Sequence, residues 1–306
     1  MADLPACGCW VCGSTDISPW KECGIDRPLS EEDLQITDKR YGMTLGLSKC
    51  SQCGFIFADD DNIKDLMELY AQMDDPGYEK TLDARVLQMQ WLLEQAIRLR
   101  PRATSMLDIG AGAGLLVREG YARGIRAVGV ELSMPLVRLG KERFEVELLQ
   151  GVFPHPKLAG QKFDVVFLVD VLEHVTNPII LLTDCRNALS PEGVLLVVTP
   201  DVRSFAARIL GRKWWHFRLA HVGYFSRKNL TVAADLAALR PVKWFRACWF
   251  FPVGYVAERL SQYLPISWFN RLMGKMPLTR WIYKRRVRLN LFDSWAVAFT
   301  PASTDR

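Results

Sequence analysis

Two cysteine pairs share one pattern, Cys9-Trp-Val-Cys12-Gly13 and Cys50-Ser-Gln-Cys53-Gly54. Four thiolates from two such pairs can surround one tetrahedral ion, and the glycine after each second cysteine permits the tight turn that aims both sulfurs the same way. Six of the eight cysteines lie before residue 54. In a reducing compartment a cluster of this kind points to metal rather than to disulfides. Zinc is the expected ion, and four sulfur ligands leave no position for substrate water, so the role expected of it is structural. Cys7 and Cys23 are further candidates for a ligand position.

A second chemical signal is the stretch Ser105-Met-Leu-Asp-Ile-Gly-Ala-Gly-Ala-Gly-Leu-Leu116. An apolar strand runs into Gly110, Gly112 and Gly114, spaced two apart, and then into an apolar helix. Such a turn brings backbone N–H groups against a ligand at the end of a sheet. Asp108 sits just before it, where its charge would repel the pyrophosphate of a dinucleotide. The spacing also departs from the dinucleotide fingerprint G-x-G-x-x-G. A cationic cofactor without phosphate fits better.

The elements that must carry these residues follow from periodicity. After the turn come the short apolar runs Ala127–Val130, Val146–Leu149, Phe163–Val169 and Gly193–Thr199, alternating with helical patterns. Strand and helix in alternation predict a parallel sheet covered on both faces, a doubly wound α/β domain. Apolar positions at helical spacing predict helices over residues 62 to 72 and 81 to 99, the latter ending before Pro101. The division expected is a zinc-ribbon-like segment over 1–60, a helical connector over 61–100, and an α/β domain over 101–306 with an insertion at 252–290. The polar stretch from Pro28 to Gly42 reads as an ordered loop or short helical turn that either covers a substrate or bridges two ribbon strands.

From residue 104 to about 239 the chain resembles the class I S-adenosylmethionine-dependent methyltransferases. The glycine turn, with Asp108, Gly110, Ala111, Gly112 and Gly114, is similar to their motif I. Glu131, closing Val128-Gly-Val-Glu131, matches the acidic residue that bonds both ribose hydroxyls. Phe163 to Val175, with its Leu172-Glu-His-Val turn, looks like the fourth strand and the loop after it, which includes Asp170. Ser190 to Pro200 looks like the fifth strand with its preceding turn. Many relatives hold the adenine amine with an acid after the third strand, whereas Gly151-Val-Phe-Pro-His-Pro156 offers none. Phe153 either covers the adenine face or belongs to the core. The implied fold is a seven-stranded, mostly parallel, Rossmann-like sheet closed by an antiparallel pair, Val242–Phe251 and Ser294–Thr300, with a helical insertion before the last strand.

Methyl transfer is an in-line displacement whose acceleration comes largely from alignment, and an alcohol or phenol acceptor must also lose a proton. Histidine suits that role, and the chain has four. His174, just past the fourth strand, is either the base or a cap that holds Glu173. His216 and His221 lie in Trp214-Trp-His-Phe-Arg-Leu-Ala-His-Val-Gly-Tyr-Phe-Ser226. That segment resembles the family's H-x-x-x-F-S stretch on the acceptor side, which ranks His221 above His216 and makes Tyr224 a candidate for orienting the acceptor.

Overall the chain is similar to bacterial ubiquinone-biosynthesis O-methyltransferases, in the subgroup with an N-terminal zinc-ribbon-like segment. The resemblance implies S-adenosylmethionine as cofactor, structural zinc, and O-methylation of a small-molecule or lipid-linked acceptor such as a sugar, a phenol or a secondary metabolite. A sugar C-methyltransferase, an rRNA methyltransferase and a non-catalytic cofactor-binding protein are the alternatives.

Composition sets the outer bounds. At 306 residues and 49% hydrophobic, the chain can bury a large core. A net charge of +5 is too small by itself to argue for nucleic acid. No stretch of about 18 uninterrupted apolar residues predicts a spanning helix, and the start does not resemble a signal peptide. A cytoplasmic location is expected. From Ser261 to Phe292 there are seven Lys or Arg and no Asp or Glu, interleaved with aromatic and aliphatic residues. This segment suits a lid or dimer surface, an anionic membrane interface at the inner face, or RNA. Its large apolar residues favour lipid over nucleic acid.

Overall fold

The computed structural model describes residues 8–302 except 38, 39, 60 and 261–284. Cys7, and most of the basic segment 261–292 for which membrane contact is expected, lie outside the described residues.

The N-terminal part contributes strands β1 (Ile17–Lys21), β2 (Leu47–Cys50) and β3 (Ile56–Ala58), then helices α1 (Leu66–Gln72) and α2 (Leu82–Leu99). The core follows as β4 (Ser105–Ile109), α3 (Leu115–Tyr121), β5 (Arg126–Glu131), α4 (Met134–Phe144), β6 (Leu148–Gln150), β7 (Phe163–Val169), α5 (Pro178–Ala188) and β8 (Leu189–Pro200). Beyond it come α6 (Phe205–Leu210), β9 (Gly223–Tyr224), α7 (Arg227–Leu236), β10 (Leu239–Arg246), β11 (Trp249–Pro252), α8 (Val253–Leu260), β12 (Arg286–Leu289) and β13 (Ser294–Pro301).

The large sheet has seven strands in the order β10-β13-β8-β7-β4-β5-β6. The pairs from β8 to β6 are all parallel, and β13 is antiparallel to both β8 and β10. The order reverses beside β4, so its carboxyl end opens the crevice where ligands bind in open α/β sheets. Strand β8 shows how one segment serves two layers. Leu195 and Val197 belong to the core under α5 and α7, while Val194, Leu196 and Val198 belong to the core under α2 and α3. Successive side chains point to opposite faces, and burying each stabilises the fold by about 2 kcal/mol.

The antiparallel closure expected at Val242–Phe251 needs correction. Strand β10 stops at Arg246, and Trp249–Pro252 turns away to pair with Arg286–Leu289 as a separate hairpin. The long apolar run conceals that break, because nothing in Arg246-Ala-Cys-Trp249 carries a turn signal. The described part of the insertion therefore holds both a helix and a strand.

A second sheet, β1-β2-β3-β9, ties the cysteine segment to the core. Its fourth strand comes from Gly223–Tyr224, with Ile56 opposite Tyr224. Within the stretch Pro28 to Gly42, Glu31–Leu34 form a short 3-10 helix. There the fully buried Asp33 accepts from Arg27 (2.7 Å) and Arg40 (2.6 Å). The loop also touches the histidine-bearing segment, since Arg218 donates to the Gln35 and Ile36 carbonyls at 2.6 and 3.0 Å.

Candidate functional site

The glycine turn joins β4 to α3, and all three glycines have positive φ: 70° at Gly110, 55° at Gly112 and 75° at Gly114. Each also sits where a side chain has no room. A Cβ on Gly110 would run into Val171, one on Gly112 would lie 2.8 Å from the Tyr78 hydroxyl, and one on Gly114 2.6 Å from Val146. Gly110 and Ala111 donate to the Val130 carbonyl at 2.8 and 3.1 Å, which locks the turn onto β5. Glu131 accepts the Gly112 N–H at 2.8 Å and the Ser133 N–H at 2.7 Å. Its carboxylate thus braces the turn from the next strand.

Asp108 and Glu131 are two carboxyl groups in one buried region. Burial pushes both upward, and the nearby Glu131 charge raises Asp108 well above the usual carboxylate range. Such a pair gains from hydroxyl donors or a positive ligand and repels phosphate. Asp170, at the end of β7, has a left-handed backbone (φ 53°) and a buried Oδ1 without a partner. Burial raises its carboxyl to about 6. Phe153 is partly buried against the core.

One strand along, the loop after β7 meets the segment before β9. His174 Nδ1 lies 2.8 Å from the Ala220 carbonyl and also within hydrogen-bond reach of the Tyr70 hydroxyl. With its Nδ1–H committed there, Nε2 keeps a free lone pair. The His174 and His221 rings meet edge to face with centroids 4.7 Å apart. His221 faces the His216 carbonyl through one ring nitrogen, while its buried Nδ1 has no partner. Glu173 accepts from Thr199 Oγ1 at 3.0 Å through Oε2, and its Oε1 is buried without a partner. One ligand atom from each of Glu173, His174 and His221 falls within 4.8 Å of the others.

Burial dominates the electrostatics of this cluster. It lowers His174 to about 4, takes His221 well below the ordinary imidazole range, and raises Glu173 well above the carboxylate range. Both imidazoles are therefore neutral at pH 7, each oriented by a backbone carbonyl, with a lone pair to offer. That is the arrangement of histidines that bind a cation, with the Ala220 and His216 carbonyls setting the two rings. His216 is held apart from the cluster by Asp293, at 3.2 Å, which also accepts from Trp215 Nε1 at 2.7 Å. Tyr224 is buried, with its hydroxyl 3.4 Å from the Arg218 carbonyl.

The other cluster is made of sulfur alone. Cys9 and Cys53 Sγ are 3.5 Å apart, as are Cys12 and Cys50 Sγ, and all four lie within 4.8 Å of one another. A tetrahedral zinc with bonds of about 2.3 Å needs sulfurs about 3.8 Å apart. Gly13 (φ 71°) and Gly54 (φ 75°) make the two turns, donating to the Cys9 and Cys50 carbonyls at 2.9 Å each. Burial raises the Cys9 thiol to about 11. At Cys50 the same effect is outweighed by backbone N–H groups and the Cys12 thiol, which bring it to about 7. The donor set fits structural zinc. Cys23 is exposed and outside the cluster.

Residues 79–243, more than half of the chain, match the family model described as a methyltransferase domain. The chain belongs to this methyltransferase family. The ubiquinone biosynthesis O-methyltransferase of Dinoroseobacter shibae is 32% identical over 149 residues, covering 45% of this chain and 60% of that protein. That of Cereibacter sphaeroides is 34% identical over 116 residues, covering 36% of this chain and 47% of its own length. That of Xanthomonas axonopodis is 29% identical over 182 residues, covering 57% and 72%. This chain thus spans about half the length of the first two, at 47% and 60%. A solved S-adenosylmethionine-dependent methyltransferase from Archaeoglobus fulgidus superposes with a TM-score of 0.50 at 15% identity, covering 74% of this chain and 99% of that one. The fold is therefore the Rossmann-like methyltransferase fold, and S-adenosylmethionine is the cofactor of this class.

The sequence-derived candidates fall into two adjoining groups. Asp108, Gly110, Ala111, Gly112, Gly114 and Glu131 share the turn at β4 and β5, and Asp170 follows β7 immediately before Val171, which abuts Gly110. His174 and His221 meet although 47 residues separate them, and His216 lies beside His221, the ring centroids 5.9 Å apart. The connector supplies two residues that sequence reasoning missed. Tyr78 covers Gly112 and accepts from the Ala113 N–H at 3.4 Å, with Arg85 over its ring at 4.7 Å. Tyr70, on α1, reaches His174. Tyr70 is an aromatic residue in a helical pattern, which reads as core, and Tyr78 follows Pro76-Gly77 in the turn between the two expected helices, where nothing marks it for a site.

Proposed function

We propose that the chain transfers the methyl group of S-adenosylmethionine to a hydroxyl of a small-molecule acceptor. The observation that carries this is the join between the braced glycine turn and the cluster Glu173, His174 and His221 at one edge of the sheet. In this reading Asp108, Gly110, Ala111, Gly112, Gly114 and Glu131 hold the cofactor, Glu131 through the ribose hydroxyls. Phe153 and Asp170 flank the adenine and methionine portions. Tyr78 closes over the turn and excludes water.

The acceptor oxygen attacks the methyl carbon as the carbon–sulfur bond breaks, S-adenosylhomocysteine leaves, and the hydroxyl proton passes to water or to a histidine lone pair. A histidine held near 4 is a weak base for an alcohol or phenol. The donor set of Glu173 Oε1 and two oriented, neutral imidazoles instead suits a divalent cation. A cation held there would supply Lewis-acid activation of the acceptor hydroxyl. The chain's own residues orient the acceptor, keep the cluster dry, and place the free lone pairs of His174 and His221 beside it. The second reading is direct proton transfer to one of these lone pairs, which the unpartnered Nδ1 of His221 favours. Tyr224 borders the acceptor side.

Dialysis against a chelator, followed by addition of magnesium, manganese or zinc, separates the two. Turnover that disappears while the zinc content of the cysteine cluster holds, and returns with magnesium or manganese, supports the cation. Turnover that survives chelation but is lost in His221→Gln supports the base. Turnover that survives both removes the cluster from the chemistry.

A lipid-linked acceptor is the finer proposal. It rests on the basic and aromatic composition of 261–292 and on exposed Phe205 and Ile209, which lie four residues apart on α6 beside Arg208. No helix among the described residues is long and apolar enough to cross a membrane. Sedimentation with phosphatidylglycerol vesicles at low salt tests peripheral contact, and equal recovery in the supernatant with and without vesicles would sink it.

A further inference from the structure

A cleft of about 300 Å³ opens where the second cysteine turn meets the edge of the methyltransferase core, away from the histidine cluster. Three cations line it, and each comes from a different part of the chain. Lys49 is on β2, Arg203 is in the turn after β8, and Lys228 is in the first turn of α7. Ser18 and Ser51 add two hydroxyls, and no carboxylate is among the lining residues.

Among the described residues none of the three cations is paired with an acid. Lys228 Nζ finds only the Gln52 carbonyl, at 3.4 Å, beyond a strong hydrogen bond. The nearest acid in sequence to Arg203 is Asp201. It accepts the Arg203 backbone N–H at 3.0 Å through Oδ1 and the Arg246 guanidinium at 2.8 Å through Oδ2. It is therefore committed elsewhere, and the Arg203 guanidinium is left to the cleft. Three like charges brought to one concavity by tertiary folding repel one another, and the repulsion is relieved by an anion between them. A guanidinium offers a planar fork, two ammonium groups offer point charges, and hydroxyls complete an oxygen-rich ligand's hydrogen bonds.

We propose that this cleft is an anion subsite that takes the phosphate or diphosphate group of a phosphorylated ligand. The proposal goes beyond the transfer reaction and does not depend on it. The same chemistry comes from two sources, a soluble phosphorylated metabolite or the phosphate headgroup of a lipid. A competing role for the same cations is to balance the cysteine cluster, since four thiolates around Zn²⁺ carry a net charge of about −2.

The test uses the full-length, zinc-loaded protein with sodium pyrophosphate as the soluble probe, read by thermal shift and calorimetry against sodium chloride of equal ionic strength. A parallel arm measures pelleting with phosphatidic acid vesicles against phosphatidylcholine vesicles. The comparison protein is Arg203→Ala/Lys228→Ala. Its fold is checked by zinc content and by stabilisation with S-adenosylhomocysteine, neither of which requires turnover. Pyrophosphate is expected to stabilise the wild type, with affinity at least tenfold weaker in the variant while zinc content holds. Pelleting on phosphatidic acid that the variant loses, without a pyrophosphate effect, assigns the site to a lipid phosphate. The proposal is overturned if neither probe binds above its control, or if the variant binds as well as the wild type. It is equally overturned if the variant sheds zinc while pyrophosphate leaves the wild type unchanged, because the cations then serve the thiolates.

Discussion

Among the described residues, two clusters of side chains could hold a metal ion, and they differ in what surrounds each donor. In the cysteine cluster two local turns, four residues each, supply four identical sulfurs, and the cluster closes on itself. In the histidine cluster Glu173, His174 and His221 come from two segments separated by 47 residues, and two donor atoms, Glu173 Oε1 and His221 Nδ1, are buried without partners. The first is a complete coordination shell, so its ion can only hold the fold together. The second keeps unsatisfied donors beside the glycine turn proposed to hold the cofactor, and burial makes each costly unless something binds there. A structural site spends all its ligands on the ion, whereas a working site leaves capacity for the substrate.

The sharpest way to break this contrast is to remove each cluster and measure stability and activity together. Cys9→Ser/Cys53→Ser is expected to abolish zinc content and to lower unfolding free energy by at least about 3 kcal/mol. Chemical denaturation and elemental analysis would check it, and a zinc-free variant of wild-type stability would erase the distinction. His221→Gln is expected to leave zinc content intact and S-adenosylhomocysteine affinity within about threefold, while lowering turnover by about 10² to 10⁴. Equal losses of cofactor affinity and turnover would instead make His221 a packing residue.

Smaller effects locate the boundary between cofactor turn and acceptor cluster. Gly112→Ala puts a side chain on a residue at φ 55° and against the Tyr78 hydroxyl at 2.8 Å. Backbone strain of about 1–3 kcal/mol implies cofactor binding weaker by about fivefold to 10²-fold, measured by calorimetry. Adding Tyr78→Phe should recover only part, since it relieves the contact and not the dihedral. Full recovery would mean that φ carries no cost here. The smallest expected change is Tyr70→Phe, which removes the hydroxyl beside His174. A loss of about 1 kcal/mol corresponds to roughly fivefold in kcat/KM, with cofactor affinity unchanged.

What was legible in the sequence was local. Each cysteine turn and the glycine turn is written within a few consecutive residues, because spacing along the chain sets the geometry. Glu131 was singled out by the family resemblance, and β5, which it closes, does pair in parallel with β4 beside the glycine turn. The meeting of His174 with His221 depends on Val222 N–H bonding the Glu173 carbonyl at 2.8 Å and on Gly223–Tyr224 joining the cysteine-bearing sheet, pairings that no local pattern announces. Tyr70 and Tyr78 were hidden for a different reason. One lies in a helical pattern and the other in the turn after Pro76-Gly77, both read as connector, and only the tertiary fold brings that connector over the glycine turn and His174. The break between Arg246 and Trp249 was masked by continuous aromatic residues, since β-propensity is high on both sides of it.

The most direct test of the central claim is transfer of radiolabelled methyl from S-adenosylmethionine to the small molecules of a fractionated host lysate. Wild type and His221→Gln would be compared after both are shown to bind S-adenosylhomocysteine equally. The account predicts label in a small-molecule fraction with wild type and at least about 100-fold less with the variant. Equal labelling by the two proteins would contradict it, and would place methyl transfer somewhere other than the Glu173, His174 and His221 cluster.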